Sequence, residues 1–218
     1  MNRSWYTRGA KRGLDAAAAA ILLALLSPVL GVVAVVVRRR LGSPVLFRQA
    51  RAGRAERPFT MLKFRTMTDA RSADGHLLPD GERLTETGRA LRRTSLDELP
   101  ELWNVLRGDM SLIGPRPLPL HYLPFFRPEE RARFDVRPGI TGLAQVSGRN
   151  RATWDERFSL DVVYVRTCSL ATDARILWRT VRVALSRDGL VEDPESVMAN
   201  LDDERRSELR GPDGTAAS

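Results

Sequence analysis

A single cysteine, Cys168, and two histidines, His76 and His121, occur in 218 residues. One cysteine closes no internal disulfide, and so few Cys and His side chains exclude a zinc cluster of the usual ligand spacing. A reducing, cytosol-facing location is expected. Aromatic residues are only 6% of the chain and are not interleaved with basic ones, so the stacking platform of a nucleic-acid binder is missing. The Gly-x-x-x-x-Gly-Lys pattern is absent, which removes support for a P-loop phosphotransferase merely anchored at a membrane. No internal repeat is evident.

What is present is unevenly distributed. A hydrophobic content of 43% with 28% charged residues suits one folded domain, with or without an appendage. The formal charge of +8 is local: residues 1–57 carry eleven Lys/Arg against Asp15 and Glu56, a net +9 that leaves −1 for the remaining 161 residues. That excess brackets "AAAAAILLALLSPVLGVVAVVV", residues 16–37, which holds no charge at all. Anionic lipid headgroups are its natural counter-charge. A helix over those 22 residues would rise about 33 Å, enough to span a bilayer. A cleaved leader fits poorly, because no A-x-A site is apparent and Arg38, Arg39 and Arg40 follow at once. Ser27-Pro28 near the middle predicts a kink, leaving halves of about 15–18 Å, one leaflet deep. Cations at both ends, Arg3, Arg8, Lys11 and Arg12 before and Arg38 to Arg40 after, favour keeping both ends on the cytoplasmic side. A re-entrant helix satisfies this; a spanning helix stays open on the residues alone, since proline is tolerated in spanning helices.

Beyond the apolar run, residues 45–49 and 58–65 read as strands of a hairpin, with Gly53 supplying the permissive turn backbone. Residues 68–90 read as a long surface loop. Glu101 to Gly108 reads as a short helix stopped by glycine, followed by "IGPRP", where Pro115 and Pro117 stiffen the backbone around Arg116. Residues 137–149 read as a glycine-rich loop with a brief strand, and 154–167 and 172–186 as helices, the second with Ile176, Leu177, Thr180, Val181, Ala184 and Leu185 on one face. From Asp188 the chain turns acidic and poor in large apolar residues, and an unstructured or transiently helical tail is expected. The expected organisation is a membrane segment over 1–40, a catalytic domain over 41–187 and a tail over 188–218, in an α+β fold that is mainly helical with short strands.

In "TSLDELPELW", Thr94 to Trp103, two carboxylates stand side by side. Asp97 and Glu98 first suggest a helix start: a capping box from Ser95, or, because Pro100 cannot donate a backbone bond, an N-cap at Asp97. The chemical alternative is that one carboxylate attacks phosphorus while the other manages a proton or a metal. Lys63, Arg65, Arg92, Arg116, Arg137 and Arg149, all in Gly- or Pro-punctuated segments, suit a phosphate ligand. A divalent ion, Mg²⁺, would offset repulsion between substrate phosphates and carboxylates.

"KRGLD", Ser27-Pro28, "KFRTM", "SLDELPELWNVLRGDMSLIGPRP", "RPGITGLAQVSGR" and "YVRTCSLATDARILWRTV", in this order from Lys11 to Leu185, resemble the bacterial sugar transferases, the monotopic phosphoglycosyl transferases in their short form, without the additional N-terminal membrane helices of larger members. The resemblance implies transfer of a sugar 1-phosphate from a UDP-sugar to polyprenyl phosphate at the cytoplasmic face of the inner membrane, with release of UMP and initiation of surface glycan assembly. It implies Asp97 as nucleophile and metal ligand, Glu98 assisting by proton transfer or by ordering the site, and Mg²⁺ nearby. It further implies phosphate binding by Lys63, Arg92 and Arg116, with Arg137, Gln145 and Arg149 as further candidates, and a re-entrant helix broken at Ser27-Pro28. Glu101 stands where relatives often carry Gln. Expected partners are the UDP-sugar, the polyprenyl phosphate and membrane lipids, with a homodimer as one expectation for the assembly. The competing class is a membrane-tethered basic binding module without activity.

Overall fold

A computed structural model describes residues 6–147, 153–185 and 200–210. A π-helical turn, Tyr6–Ala10, runs directly into α1, Lys11–Arg40. The most apolar stretch of α1 has a mean hydropathy of 2.8, and no side chain from Ala20 to Val32 is buried. Pro28 lies inside the helix without ending it. Proline deprives the carbonyl four residues back, that of Ala24, of its donor, and the Ser27 hydroxyl supplies a replacement at 2.8 Å. The expected break is therefore one missing backbone bond with a serine substitute, and the helix continues through it.

Both ends of α1 are held by the same folded unit. Near its start Arg12 donates to the Val105 and Leu106 carbonyls at 2.6 and 2.7 Å, and Asp15 accepts from the Ser111 hydroxyl at 2.7 Å. Ala19 is buried with Met61, Val105 and Met110. Near its end Val33 and Val37 are buried with Phe64 and Leu91.

The hairpin forms as the alternation suggests. Strands β1, Leu46–Ala52, and β2, Pro58–Phe64, pair antiparallel with Phe47 opposite Lys63 and Gln49 opposite Met61. The turn corrects one expectation. Its left-handed residues are Ala55 and Glu56, at φ 54° and 60°, while Gly53 is at −101°. Gly53 serves close approach instead, since a Cβ there would stand 2.9 Å from the Arg57 carbonyl oxygen.

The segment expected to be a loop is partly helical, with α2 at Asp80–Arg83 and α3 at Glu86–Arg93. Thr85 caps α3, its hydroxyl accepting from the Gly88 amide at 2.9 Å. Glycine at 88 lets α3 lie against the chain leaving β2: a Cβ would fall 1.9 Å from the Thr66 carbonyl oxygen. That glycine also occupies the position where a capping box would show Glu or Gln, which hides the helix start from a pattern search.

Helix α4, Glu101–Arg107, stops at Gly108, which is left-handed at φ 95°. Fully buried Asn104 fastens it to β2, donating to the Thr60 carbonyl at 2.7 Å and accepting from the Leu62 amide at 3.0 Å. Strands β3, Ser111–Ile113, and β4, Gly139–Thr141, form a short parallel pair, followed by α5, Leu143–Ser147. Helix α6, Trp154–Thr167, starts in a capping box of Thr153 and Glu156, and α7 covers Leu170–Leu185. Only part of the apolar face expected for α7 is inward. Ile176 is buried and Thr180 partly so, but Leu177 and Val181 are about half exposed, and Asp173 is buried in line with Ile176. Asp173 accepts from Tyr6, Lys11 and Tyr164, tying α7 to the start of α1.

The tail expectation fails over α8, Leu201–Arg210. Leu201 is fully buried in an aromatic cluster with Tyr122, Phe126, Phe134, Trp154 and Phe158. Arg205 pairs with Glu130 at 2.8 Å and Asp155 at 2.6 Å. The rest of the expected tail, residues 188–199 and 211–218, lies outside the described residues, as do residues 186–187 and Arg149.

Candidate active site

Four segments converge on the Asp97–Glu98 pair. Strand β2 carries Lys63, the end of α3 carries Arg92, the 3₁₀ turn Leu96–Glu98 carries the pair, and the chain leaving β3 carries Arg116. Ser95 adopts a left-handed conformation, φ 55°, and neither the 3₁₀ turn nor α4 has a side-chain cap. Both helix-start readings of "SLDE" are thereby set aside, and the carboxylates are available for other contacts.

The two acids have diverging surroundings. Glu98 accepts from Lys63 Nζ at 2.8 Å and from Arg116 at 3.1 Å, and Glu101 stands 3.5 Å from the same Lys63 nitrogen. Asp97 is 6% exposed, and its carboxylate accepts no hydrogen bond among the described residues. Burial works to raise Glu98, but the charges of Arg116 and Lys63 outweigh it and bring its carboxyl down to about 2. Glu101 goes the other way: burial, then the charge of Glu98, push it up to about 8 against Lys63 and Arg116. Asp97 is raised by burial, with Lys63, Arg92 and Arg116 opposing and Glu98 reinforcing. Burial disfavours the Lys63 ammonium, yet Glu98 leads the carboxylates that raise it overall. Glu98 is thus held as an anion, Glu101 is pushed toward its protonated form, and Asp97 is a desolvated carboxylate without a hydrogen-bond partner among the described residues, the environment expected of a nucleophile.

Asp97 lines a cleft of about 290 Å³ together with Lys63, Arg92, Gln49, Arg51 and Phe47. Arg92 reaches the Thr66 hydroxyl at 3.2 Å through Nε. The arm of Arg116 is braced from behind, since the Gly139 amide donates to the Pro115 carbonyl at 2.9 Å and Arg133 donates to the Arg116 carbonyl at 2.7 Å. Arg133 pairs with Asp161 at 2.9 Å and lies over the rings of Phe126, Phe134 and Phe158. Sequence reasoning missed this brace because its partners are 28 positions apart and follow no short-range pattern.

The later candidates sit elsewhere. Arg137 donates to the Gly108 carbonyl at 2.8 Å, and burial followed by the charges of Arg54 and Arg12 lower its pKa. Gln145 donates to the Ile140 carbonyl at 3.3 Å. Neither lines the cleft.

Among the described residues no group of three His, Cys, Asp or Glu side chains is arranged to hold a metal ion. That donor set still fits Mg²⁺, which is commonly held by one or two carboxylates and the phosphates of its substrate. The unpartnered oxygens of Asp97 would be the protein's contribution.

The family model described as bacterial sugar transferase matches residues 6–187. The chain belongs to the bacterial sugar transferase family. Relatives within the bacterial sugar transferases include the uncharacterized sugar transferase EpsL of Bacillus subtilis, 51% identical over 83% of this chain and 89% of that protein. A UDP-glucose:undecaprenyl-phosphate glucose-1-phosphate transferase of Caulobacter vibrioides is 42% identical over 82% of this chain and 70% of its own length. The undecaprenyl-phosphate galactose phosphotransferase of Salmonella typhimurium is 36% identical over 84% of this chain but only 42% of its own length. For a bacterial sugar transferase a divalent metal is expected, and the long apolar α1 accords with membrane association.

Proposed function

We propose that this enzyme transfers a sugar 1-phosphate from a UDP-sugar to an undecaprenyl-type polyprenyl phosphate, releasing UMP, and so initiates assembly of a surface glycan. The observation that carries the reading is the division of labour between Asp97 and Glu98. A buried carboxylate without a hydrogen bond lines the cleft, next to one immobilised by two cations.

The reaction is a double displacement on one phosphorus atom. A carboxylate oxygen of Asp97 attacks the phosphorus that bears the sugar, the bond to the bridging oxygen breaks, and UMP departs with that electron pair. An acceptor phosphate oxygen then attacks the same phosphorus, displacing Asp97 and leaving a polyprenyl diphosphate sugar. Lys63, Arg92 and Arg116 stabilise the phosphoryl oxygens in both steps. Glu98, anionic down to about pH 2, orders Lys63 and Arg116 and holds no proton to donate near neutral pH. Arg137, Gln145 and Arg149 remain further candidates for substrate phosphate. Mg²⁺, bound to Asp97 and the substrate phosphates, would supply charge neutralisation.

Both flanks of α1 pack on one folded unit while no side chain of residues 20–32 is fully buried, which supports a re-entrant helix dipping into the cytoplasmic leaflet. The polyprenyl phosphate would then meet the site at headgroup depth. The test uses the full chain in detergent with Mg²⁺, a panel of UDP-sugars and polyprenyl phosphate. UMP is the expected released nucleotide, and donor alone should leave an intact-mass adduct of one phosphosugar at Asp97. Release of UDP, or normal turnover by Asp97→Asn, rules the mechanism out.

A further inference from the structure

We propose that Phe47 and Gln49 form the nucleobase subsite of the cleft, with the Gln49 amide, fixed by Arg51, selecting uracil over cytosine. The assignment rests on the nucleotide-sugar reading above. It concerns the wall of the cleft that the phosphoryl chemistry leaves without a role.

Alternate residues of β1 share a face, so Phe47, Gln49 and Arg51 point the same way, beside Lys63 and Met61 of β2 by register. All five line the cleft that holds Asp97. Phe47 is 46% exposed in spite of this position. A ring open to a polar cleft and adjacent to the phosphate-binding lysine offers a stacking surface for a planar base.

Gln49 supplies the selectivity. Arg51 is buried, and its Nε and one terminal nitrogen approach Gln49 Oε1 at 3.1 and 2.7 Å, while its other terminal nitrogen donates to the Pro117 carbonyl at 3.2 Å. A guanidinium has donors only, so the oxygen of the amide must face it and the NH₂ must face away. No hydrogen bond from that NH₂ is made to any described residue. Gln49 therefore presents a donor, and no acceptor, to whatever enters. Uracil offers a carbonyl oxygen at C4 where cytosine offers an amino donor. The first can pair with the Gln49 NH₂; the second sets donor against donor. Because Arg51 also grips the backbone beside Arg116, seating of the base and placement of the phosphate arm share one guanidinium.

The experiment measures UMP and CMP binding to the full chain in detergent by calorimetry, with inorganic pyrophosphate as the phosphate-only probe. Wild type should favour UMP by about tenfold or more, the size of one hydrogen bond against one donor clash. Gln49→Glu keeps a partner for Arg51 but presents an acceptor, so the preference should collapse or invert; Gln49→Leu should abolish it. Phe47→Ala should weaken UMP and CMP alike, by roughly tenfold. Pyrophosphate binding should hold in all three. An unchanged UMP-to-CMP ratio in both Gln49 variants overturns the assignment, as does a loss of pyrophosphate binding equal to the loss of UMP. The transferase reading fails separately: a wild type that discriminates UMP from CMP yet releases no UMP from any UDP-sugar sinks that reading and leaves the base subsite standing.

Discussion

Two buried charge clusters lie on either side of Arg116, and they are built to opposite plans. Behind it, Arg133 and Asp161 pair one to one, 3% and 4% exposed, with aromatic rings closing the guanidinium off from water. In front, Lys63, Arg92 and Arg116 face Asp97, Glu98 and Glu101, and one of the three carboxylates, Asp97, accepts no hydrogen bond among the described residues beside an open cleft. Formal charge balance is alike in the two, although Arg116 and Glu98 of the front cluster are 23% and 19% exposed. What separates them is whether every charge is satisfied: the closed pair holds shape, and the cluster with a spare carboxylate can receive a substrate.

The largest effect expected from this contrast is on catalysis. Asp97→Asn should lower turnover more than about 10³-fold, as loss of a covalent nucleophile does, while leaving the thermal midpoint near that of wild type. A comparable fall in both would make the front cluster structural too. Next, Arg133→Met should destabilise the fold by about 3–5 kcal/mol in urea titration, because it strands the buried Asp161. Arg133→Met combined with Asp161→Leu should recover part of that loss, and failure to recover any would show that the rings hold Arg133 for its carbonyl contact rather than its charge.

A third effect is in the pH dependence of stability. Glu101 is raised to about 8, so between its ordinary value of 4.5 and 8 the native state holds a proton that the unfolded chain has released. The stability it contributes is full below about 4.5 and is lost as pH rises through 8. Glu98 has the opposite sign, contributing above 4.5 and losing that contribution as pH falls toward 2. Urea titrations at pH 6 and 9 should show wild type weakening at the higher pH and Glu101→Gln changing less; equal slopes would remove Glu101 from the account. The smallest effect belongs to a pair of neither kind. Arg127 and Asp155, at 3.1 Å but 41% and 51% exposed, should contribute less than about 1 kcal/mol, so Arg127→Ala should barely move the urea midpoint.

The front cluster was largely legible in the sequence because its members sit in segments punctuated by Gly and Pro, which announce fixed backbone, and because Asp97 and Glu98 are adjacent. The hairpin and helices α4, α6 and α7 could be read from alternation, a terminal glycine and helical spacing. The rear cluster could not, since Arg133 and Asp161 each resemble an ordinary surface charge until the fold stacks three phenylalanines around them. Helix α3 was hidden for a local reason, glycine standing where a capping carboxylate would have marked its start. Which carboxylate is free was equally hidden, because it depends on Lys63 and Arg116 reaching Glu98 from two other segments. Arg137 and Gln145 show the converse limit: a glycine-rich loop announces a fixed backbone, but not that the fold gives each side chain a backbone carbonyl to hold, at Gly108 and at Ile140.

Helix α8 bears on how the protein should be handled. The family match ends at residue 187, and a shortened version designed to that boundary would discard Leu201 and open a gap among the rings of Tyr122, Trp154 and Phe158. Emptying a leucine site in a packed core costs about 2–5 kcal/mol. An expression scheme that trims this chain to the borders of the family match would therefore yield a weakened protein, and poor behaviour of such a fragment would reflect the trimming rather than the enzyme.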